Sequence, residues 1–207
     1  MKRSLSIPAR LLALVGAALL ALVVAAPPAN AYVLEHRVWI INDATSTTTA
    51  RCLDVPGDGA PWPGDRVGVF QCISGDNQIW DLIGTGSFDY TYPNGDVKHL
   101  DRFVIQSSLS PYLCLDVPGT GGDLPNGTEI RLHGCITAHD NQEWYWLPWP
   151  TKDSGDKLLV NYQTGKCLDV DGVAADGTDW GNRTTWLYDC FVPGGGTDDH
   201  VWRTLDL

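Results

Sequence analysis

Cys52-Leu53-Asp54-Val55, Cys114-Leu115-Asp116-Val117 and Cys167-Leu168-Asp169-Val170 are the same four residues met three times in one chain of 207. Each copy is followed by a second cysteine and then by a tryptophan: Cys72 and Trp80, Cys135 and Trp144, Cys190 and Trp202. The tryptophan closes Asp76-Asn77-Gln78-Ile79-Trp80 in the first unit and Asp140-Asn141-Gln142-Glu143-Trp144 in the second, whereas the third reads Asp198-Asp199-His200-Val201-Trp202. Three ordered marks recurring in three registers mean one supersecondary unit used three times, with the same potential site offered by each copy.

The residues around these marks read as β-structure. An apolar, β-branched run precedes each Cys-Leu-Asp-Val: Val38-Trp39-Ile40-Ile41, Phe103-Val104-Ile105 and Leu158-Leu159-Val160. Turn-rich stretches such as Pro56-Gly57-Asp58-Gly59 and Pro118-Gly119-Thr120-Gly121 follow it. An alternating segment then leads to the second cysteine, and the tryptophan opens a further short strand. This punctuation predicts a closed all-β fold of about four strands per unit, about twelve in all. No stretch after residue 31 shows helical periodicity with capping signals. The units are unequal in length, and the surplus between the first and second falls in Gly84 to His99, read here as a polar loop that tolerates insertion.

Lys2, Arg3 and Arg10 make a basic start, Leu11 to Ala26 is an apolar run, and Ala29-Asn30-Ala31 fits a small-x-small cleavage pattern. The run is short for a bilayer span, which needs about 20 apolar residues. Residues 1–31 therefore read as a secretory signal, with 32–207 the mature, secreted, extracellular domain and no membrane insertion. Removing three basic residues and no acidic one takes the formal charge from −11 to −14. An acidic chain without a Lys/Arg cluster repels phosphate, which excludes nucleic acid as a partner. Secretion also assigns the six cysteines to disulfides. Three equivalent units predict three equivalent bonds, Cys52–Cys72, Cys114–Cys135 and Cys167–Cys190. Each closes a loop worth roughly 3 kcal/mol on the chain-entropy account. No C-x2-C pair occurs, so no zinc site is expected. Asp169-Val170-Asp171-Gly172 hints at a calcium loop, but the rest of the twelve-residue pattern is absent, and no metal or cofactor is expected.

With these marks in place, the chain resembles the ricin-type β-trefoil lectins: the Cys-Leu-Asp opening, the paired second cysteine and the Gln-x-Trp close recur over nearly all of 32–207. The resemblance implies a pseudo-threefold barrel capped by hairpins, with repeats at about 37–95, 96–150 and 155–207 and the three closing tryptophans inside. It implies up to three shallow sugar sites. In each, the aspartate of the opening accepts sugar hydroxyls, an aromatic two residues before the second cysteine stacks on the ring, and the asparagine before the Gln-x-Trp glutamine donates to a hydroxyl. Carried over, unit one offers Asp54, Phe70 and Asn77, unit two Asp116, His133 and Asn141, and unit three Asp169, Tyr188 and Asp199. Gln78 and Gln142 would hold the loop that carries each asparagine, and Arg131 stands where it can give unit two an extra donor.

These residue types suit a carbohydrate on physical grounds. An ionised carboxylate accepts two vicinal hydroxyls in charge-assisted bonds. The C–H face of a pyranose packs on an aromatic ring. The same aspartates are also suited to tying down turns through backbone N–H groups, an alternative the sequence leaves open. Trp62 and Trp180 sit in turn-rich loops beside the presumed sites, as stacking surface or as loop anchors. Unit three departs most: Asp199-His200 replaces Asn-Gln, and an ionised Asp199 cannot donate, so this site is expected to be weak or silent. His133 is a poorer stacking ring than Phe70.

Neither G-x-S-x-G nor H-E-x-x-H occurs, and only Glu35, Glu129 and Glu143 are glutamates, so no enzyme is expected. Three functional classes stand: a stand-alone lectin binding glycan or polysaccharide, a trefoil inhibitor or interaction protein that has lost the sugar, and a targeting subunit for a separate secreted enzyme or toxin. The Asp, ring and Asn sets of units one and two favour the first.

Overall fold

The computed structural model describes residues 32–42, 51–136, 141–148, 157–170, 183–190 and 200–207. Among these residues thirteen strands join in one sheet. Unit one supplies β1 (Tyr32–Asn42), β2 (Arg51–Asp54), β3 (Gly68–Gln71) and β4 (Trp80–Thr91). Unit two supplies β5 (Val97–Ser107), β6 (Leu113–Asp116), β7 (Thr128–Glu129), β8 (Arg131–Gly134) and β9 (Glu143–Pro148). Unit three supplies β10 (Lys157–Asn161), β11 (Cys167–Val170), β12 (Arg183–Tyr188) and β13 (Val201–Asp206). The four-strand plan holds, with the third strand of unit two interrupted at Ile130.

Two strands from each unit close a six-stranded antiparallel barrel: β1 pairs β4, β4 pairs β5, β5 pairs β9, β9 pairs β10, β10 pairs β13, and β13 returns to β1. Closure leaves no barrel edge with unpaired backbone groups. The remaining strands form three hairpins, β2–β3, β6–β8 and β11–β12, that cap one end. They meet around the pseudo-threefold axis in a ring of backbone hydrogen bonds. Val67 N donates to Ile130 O (3.2 Å), Ile130 N to Thr185 O (3.0 Å) and Thr185 N to Val67 O (3.0 Å). Each of these three residues stands five before the second cysteine of its unit. The fold is the all-β, pseudo-threefold trefoil.

The core repeats as the sequence does. Trp80, Trp144 and Trp202 are fully buried. Each indole donates to the carbonyl of the leucine in its own unit's Cys-Leu-Asp: Trp80 to Leu53 O at 3.0 Å, Trp144 to Leu115 O at 3.3 Å, Trp202 to Leu168 O at 3.0 Å. A buried indole N–H needs such an acceptor. The three intra-unit disulfides are formed as expected, each with Cα atoms 5.0 Å apart.

Gly84 to His99 is not a loop. It is most of a long hairpin, β4 and β5, turning through Tyr92–Asp96 with Tyr92 N donating to Asp96 O at 2.8 Å. Phe88 and Tyr90 alternate along its inner face and pack on Tyr145, at ring-centroid distances of 4.9 and 6.1 Å. Phe88 also packs edge-on against Tyr162. The polar residues between them face solvent, which disguises a period-2 strand as a polar loop.

Candidate functional site

Strand register puts the aspartate and the ring of each carried-over set on one face of its hairpin. Residues directly opposite across an antiparallel pair share a face, and diagonal neighbours lie within reach of a large side chain. In unit one Cys52 faces Phe70 and Asp54 faces Gly68. In unit two Cys114 faces His133 and Asp116 faces Arg131. In unit three Cys167 faces Tyr188 and Asp169 faces Trp186. Each aspartate therefore shares its face with the ring two residues before the second cysteine, in all three units.

Unit one holds an open cleft of about 390 Å³ lined by Asp54, Phe70, Asn77, Ile73, Leu109 and the Pro56-Gly57-Asp58 turn. Asp54 is only 4% exposed. Its Oδ1 accepts from Asn77 Nδ2 and Gln78 Nε2, both at 3.0 Å. Its Oδ2 receives no hydrogen bond among the described residues. The carboxylate is thus oriented through one oxygen and presents the other to the cleft. Burial pushes the Asp54 carboxyl above the ordinary aspartate range, and the Gln78 hydrogen bond pulls it partly back.

The amides beneath are engaged internally. Asn77 Nδ2 also donates to Val55 O (2.8 Å) and Gly57 O (3.2 Å), so the donor that the resemblance assigns to a sugar hydroxyl is spent inside the protein, and its Oδ1 is what remains for a ligand. Gln78 is fully buried, accepting from Ile73 N at 2.9 Å and donating to Gln71 O at 3.0 Å. It positions the aspartate and does not line the cleft.

Unit two repeats this scaffold. Gln142 accepts from Ile136 N at 2.8 Å and donates to Gly134 O at 2.9 Å, and Asn141 donates to Gly119 O at 3.0 Å. Both amides are fully buried. The cleft is about 350 Å³, with Asp116, Arg131, His133, Pro118, Thr120 and Gly64 in its wall. Arg131 is tied down at both ends of its guanidinium, donating to Gly64 O at 2.7 Å and pairing with Glu129, which also takes Arg66 at 2.9 Å.

Unit three places Asp169 beside His200, which stands at the glutamine position, with His200 Nε2 3.7 Å from Asp169 Oδ1. Tyr188 is 45% exposed, its ring 6.5 Å from that of His200. Asp199 and Trp180 lie outside the described residues. Trp62 lines neither the cleft of its own unit nor that of unit two, and the turn that carries it is bonded to unit two. Sequence reasoning also missed Leu109 and Ile73, whose apolar side chains wall cleft one; single exposed apolar residues carry no pattern that marks them. A third hollow of about 330 Å³, between β1, β5 and the β9–β10 pair, contains none of the repeated motif residues.

A family model described as the ricin-type beta-trefoil lectin domain matches residues 43–190. No curated protein sequence matches the chain. Among solved structures, the designed threefold-symmetric protein ThreeFoil is 22% identical with a TM-score of 0.57, covering 82% of this chain and 99% of its own. The agglutinin of Rhizoctonia solani is 16% identical with a TM-score of 0.53, covering 84% and 97%. A Polyporus squamosus lectin, solved with the epitope Neu5Acα2-6Galβ1-4GlcNAc, is 16% identical with a TM-score of 0.51, covering 84% of this chain and 50% of that one. At these identities the likeness is one of fold.

Proposed function

The chain belongs to the ricin-type β-trefoil lectin family, which supports carbohydrate binding in general, and from that premise we propose a secreted lectin that binds polysaccharide or glycan through the clefts of units one and two. The observation that carries the reading is cleft one. There a carboxylate is held by two amides through one oxygen, leaves the other free, and shares its hairpin face with Phe70. That pairing of an acceptor with an apolar ring matches the hydroxyls and the C–H face of a pyranose. Cleft two offers Asp116 and His133 in the same register. Unit three keeps Asp169 and Tyr188 but lacks the Asn-Gln pair, and contributes least.

Open clefts of this kind bind single sugars weakly, with dissociation constants on the order of 0.1–10 mM. Two on one chain bind a polymer far better, because the second contact is intramolecular. A glycan array run with the secreted protein and with Asp54→Asn/Asp116→Asn tests this. We expect a defined set of glycans bound by the parent and lost by the double variant. A parent that binds no glycan, or a double variant with an unchanged profile, rules the reading out. N-terminal sequencing of the secreted product should begin at Tyr32.

A further inference from the structure

We propose that Trp62, carried by unit one, is a stacking subsite of the unit-two sugar cleft, so that cleft two recognises an oligosaccharide across the repeat boundary. The inference rests on the lectin reading and extends it to the length of ligand taken at that site.

The argument starts with the turn Trp62-Pro63-Gly64-Asp65. Asp65 N donates to Trp62 O at 3.1 Å, proline occupies the second position, and Gly64 takes φ +95° at the third. Those are the requirements of a type II turn, which only glycine or asparagine meets readily at that third position. Asp65 Oδ2 accepts from Trp62 N at 2.7 Å and closes the turn a second time. The turn is then fastened to unit two, not to unit one. Gly64 N donates to Leu132 O at 2.7 Å, Leu132 N to Asp65 O at 2.8 Å, and Arg131 to Gly64 O at 2.7 Å. Leu132 lies between Arg131 and His133 on β8, and Gly64 itself forms part of the wall of cleft two.

Trp62 is 72% exposed although its backbone N–H and C=O are both bonded to Asp65, and among the described residues its indole takes part in no hydrogen bond or ring contact. The ring therefore does not anchor the turn. The turn holds the backbone of Trp62 two residues from Gly64, which stands in the wall of the cleft that contains Asp116 and His133. An exposed indole on a held backbone has only two side-chain torsions to order when it packs on the C–H face of a second sugar residue.

The next repeat keeps the tether without the tryptophan, which recurs in the sequence only at the matching position of unit three, Trp180. Gly127 stands eight residues before Cys135, as Gly64 stands eight before Cys72, and its N donates to Leu187 O of unit three at 2.9 Å. The residue matching Trp62 there is Pro125, and the neighbouring Asn126 reaches Asp189 instead, at 2.8 Å. The scaffold thus lays the loop of one unit on the hairpin of the next. Of these two loops, only the one against cleft two carries an aromatic ring.

The test uses the full secreted chain carrying Asp54→Ala, so that cleft two dominates. The probes are three matched pairs: galactose and lactose, xylose and xylotriose, N-acetylglucosamine and triacetylchitotriose. Affinities are read by calorimetry and by the indole N–H signals in 15N spectra. For the pair that binds, Trp62→Ala should leave the monosaccharide within about twofold and weaken the oligosaccharide about fivefold to tenfold, while Trp62→Phe keeps most of the affinity. The Trp62 indole signal should move with the oligosaccharide only, and stop moving when Asp116→Asn is added. Unchanged oligosaccharide affinity in Trp62→Ala, an equal loss for monosaccharide and oligosaccharide, or a Trp62 signal that still moves without Asp116 would each overturn the subsite. A parent protein that binds none of the six probes overturns the lectin reading itself, and the subsite with it. Trp62→Ala should not disturb the melting temperature, since so exposed a ring contributes little burial.

Discussion

Trp80, Trp144 and Trp202, on the inner side of the three repeats, fill one role with one geometry, whereas Phe70, His133 and Tyr188, on the outer side, are three different rings at one register position. The inner set is constrained three ways at once. Each indole must fill the core, reach the leucine carbonyl of its own Cys-Leu-Asp, and match two copies of itself around the axis. The outer set lies at the surface, His133 and Tyr188 exposed and Phe70 half-buried, and is under no such threefold constraint. The position opposite each aspartate diverges further, as Gly68, Arg131 and Trp186. Its content is set by the neighbouring unit. A Cβ on Gly68 would stand 2.2 Å from Arg183 O, so β12 forbids any side chain there. Arg131 instead meets the Trp62 turn. Symmetry thus governs the backbone and the core, while the position opposite the aspartate in units one and two takes its character from what a neighbouring repeat lays against it.

The inner face breaks with the largest effect. Trp144→Ala removes a fully buried indole and strands the Leu115 carbonyl, so it should destabilise by about 3–5 kcal/mol, read as a fall in the denaturation midpoint, and Trp80→Ala should cost a similar amount. A cost under about 1 kcal/mol at either site would mean the two units do not share one core. Next in size, Cys52→Ser/Cys72→Ser opens a loop of 20 residues and should cost roughly 3 kcal/mol. Reduced peptide mapping against the non-reduced map should show no cross-unit bond; a Cys52–Cys190 link would break the threefold equivalence.

Much of the inner face was legible in the chain. The spacing of Cys52, Cys72 and Trp80 and its two repetitions pointed to the disulfides and the strand plan, and the family resemblance carried by the same residues put the tryptophans inside. The strand carrying Phe88 and Tyr90 was not read from the sequence, because its polar partners hide the period-2 pattern that runs into an Asn-Gly turn. The outer face was readable only in part. That Asp54 and Phe70 share a face follows from the register and hence from the spacing. That Asn77 gives its donor to Val55 and Gly57 does not follow, because it depends on how closely the Pro56-Gly57 turn folds over the amide. Nor does the placing of Trp62 against unit two, which is a contact between repeats that no repeat contains.

On the outer face, single substitutions rank the clefts. Asp54→Asn and Asp116→Asn preserve shape and remove one charge each, and each should weaken binding at its own cleft by about 1.5–3 kcal/mol. Asp169→Asn should change polysaccharide retention far less, because unit three lacks the Asn-Gln pair that fixes the carboxylate in unit one. Affinity electrophoresis on a retained polysaccharide compares all three. If Asp169→Asn abolishes retention while the Asp54 and Asp116 variants keep it, the ranking is inverted. Asp54 is buried and bonded to Asn77 and Gln78, so Asp54→Ala carries a stability cost of about 1 kcal/mol that Asp54→Asn should largely avoid.

The smallest effect distinguishes cleft one by acid. Burial raises the Asp54 carboxyl above its unfolded value, which for aspartate is about 3.9. A raised carboxyl favours the protonated form in the folded protein, so the ionised form costs the fold some stability above the folded value. That cost is relieved as pH falls through the folded value and is gone below the unfolded one. For this group alone, acid therefore does not destabilise the fold. Ligand binding moves the opposite way, since a protonated carboxyl loses the charge that makes its oxygen a strong acceptor. In Asp116→Asn, where cleft one is left to act, sugar affinity should decline on acidification with a midpoint above about 3.9, before the cooperative unfolding transition. Titration by calorimetry with circular dichroism alongside separates the two. A decline that tracks unfolding, or the same pH profile in the Asp54→Asn/Asp116→Asn double variant, would remove Asp54 as the group responsible.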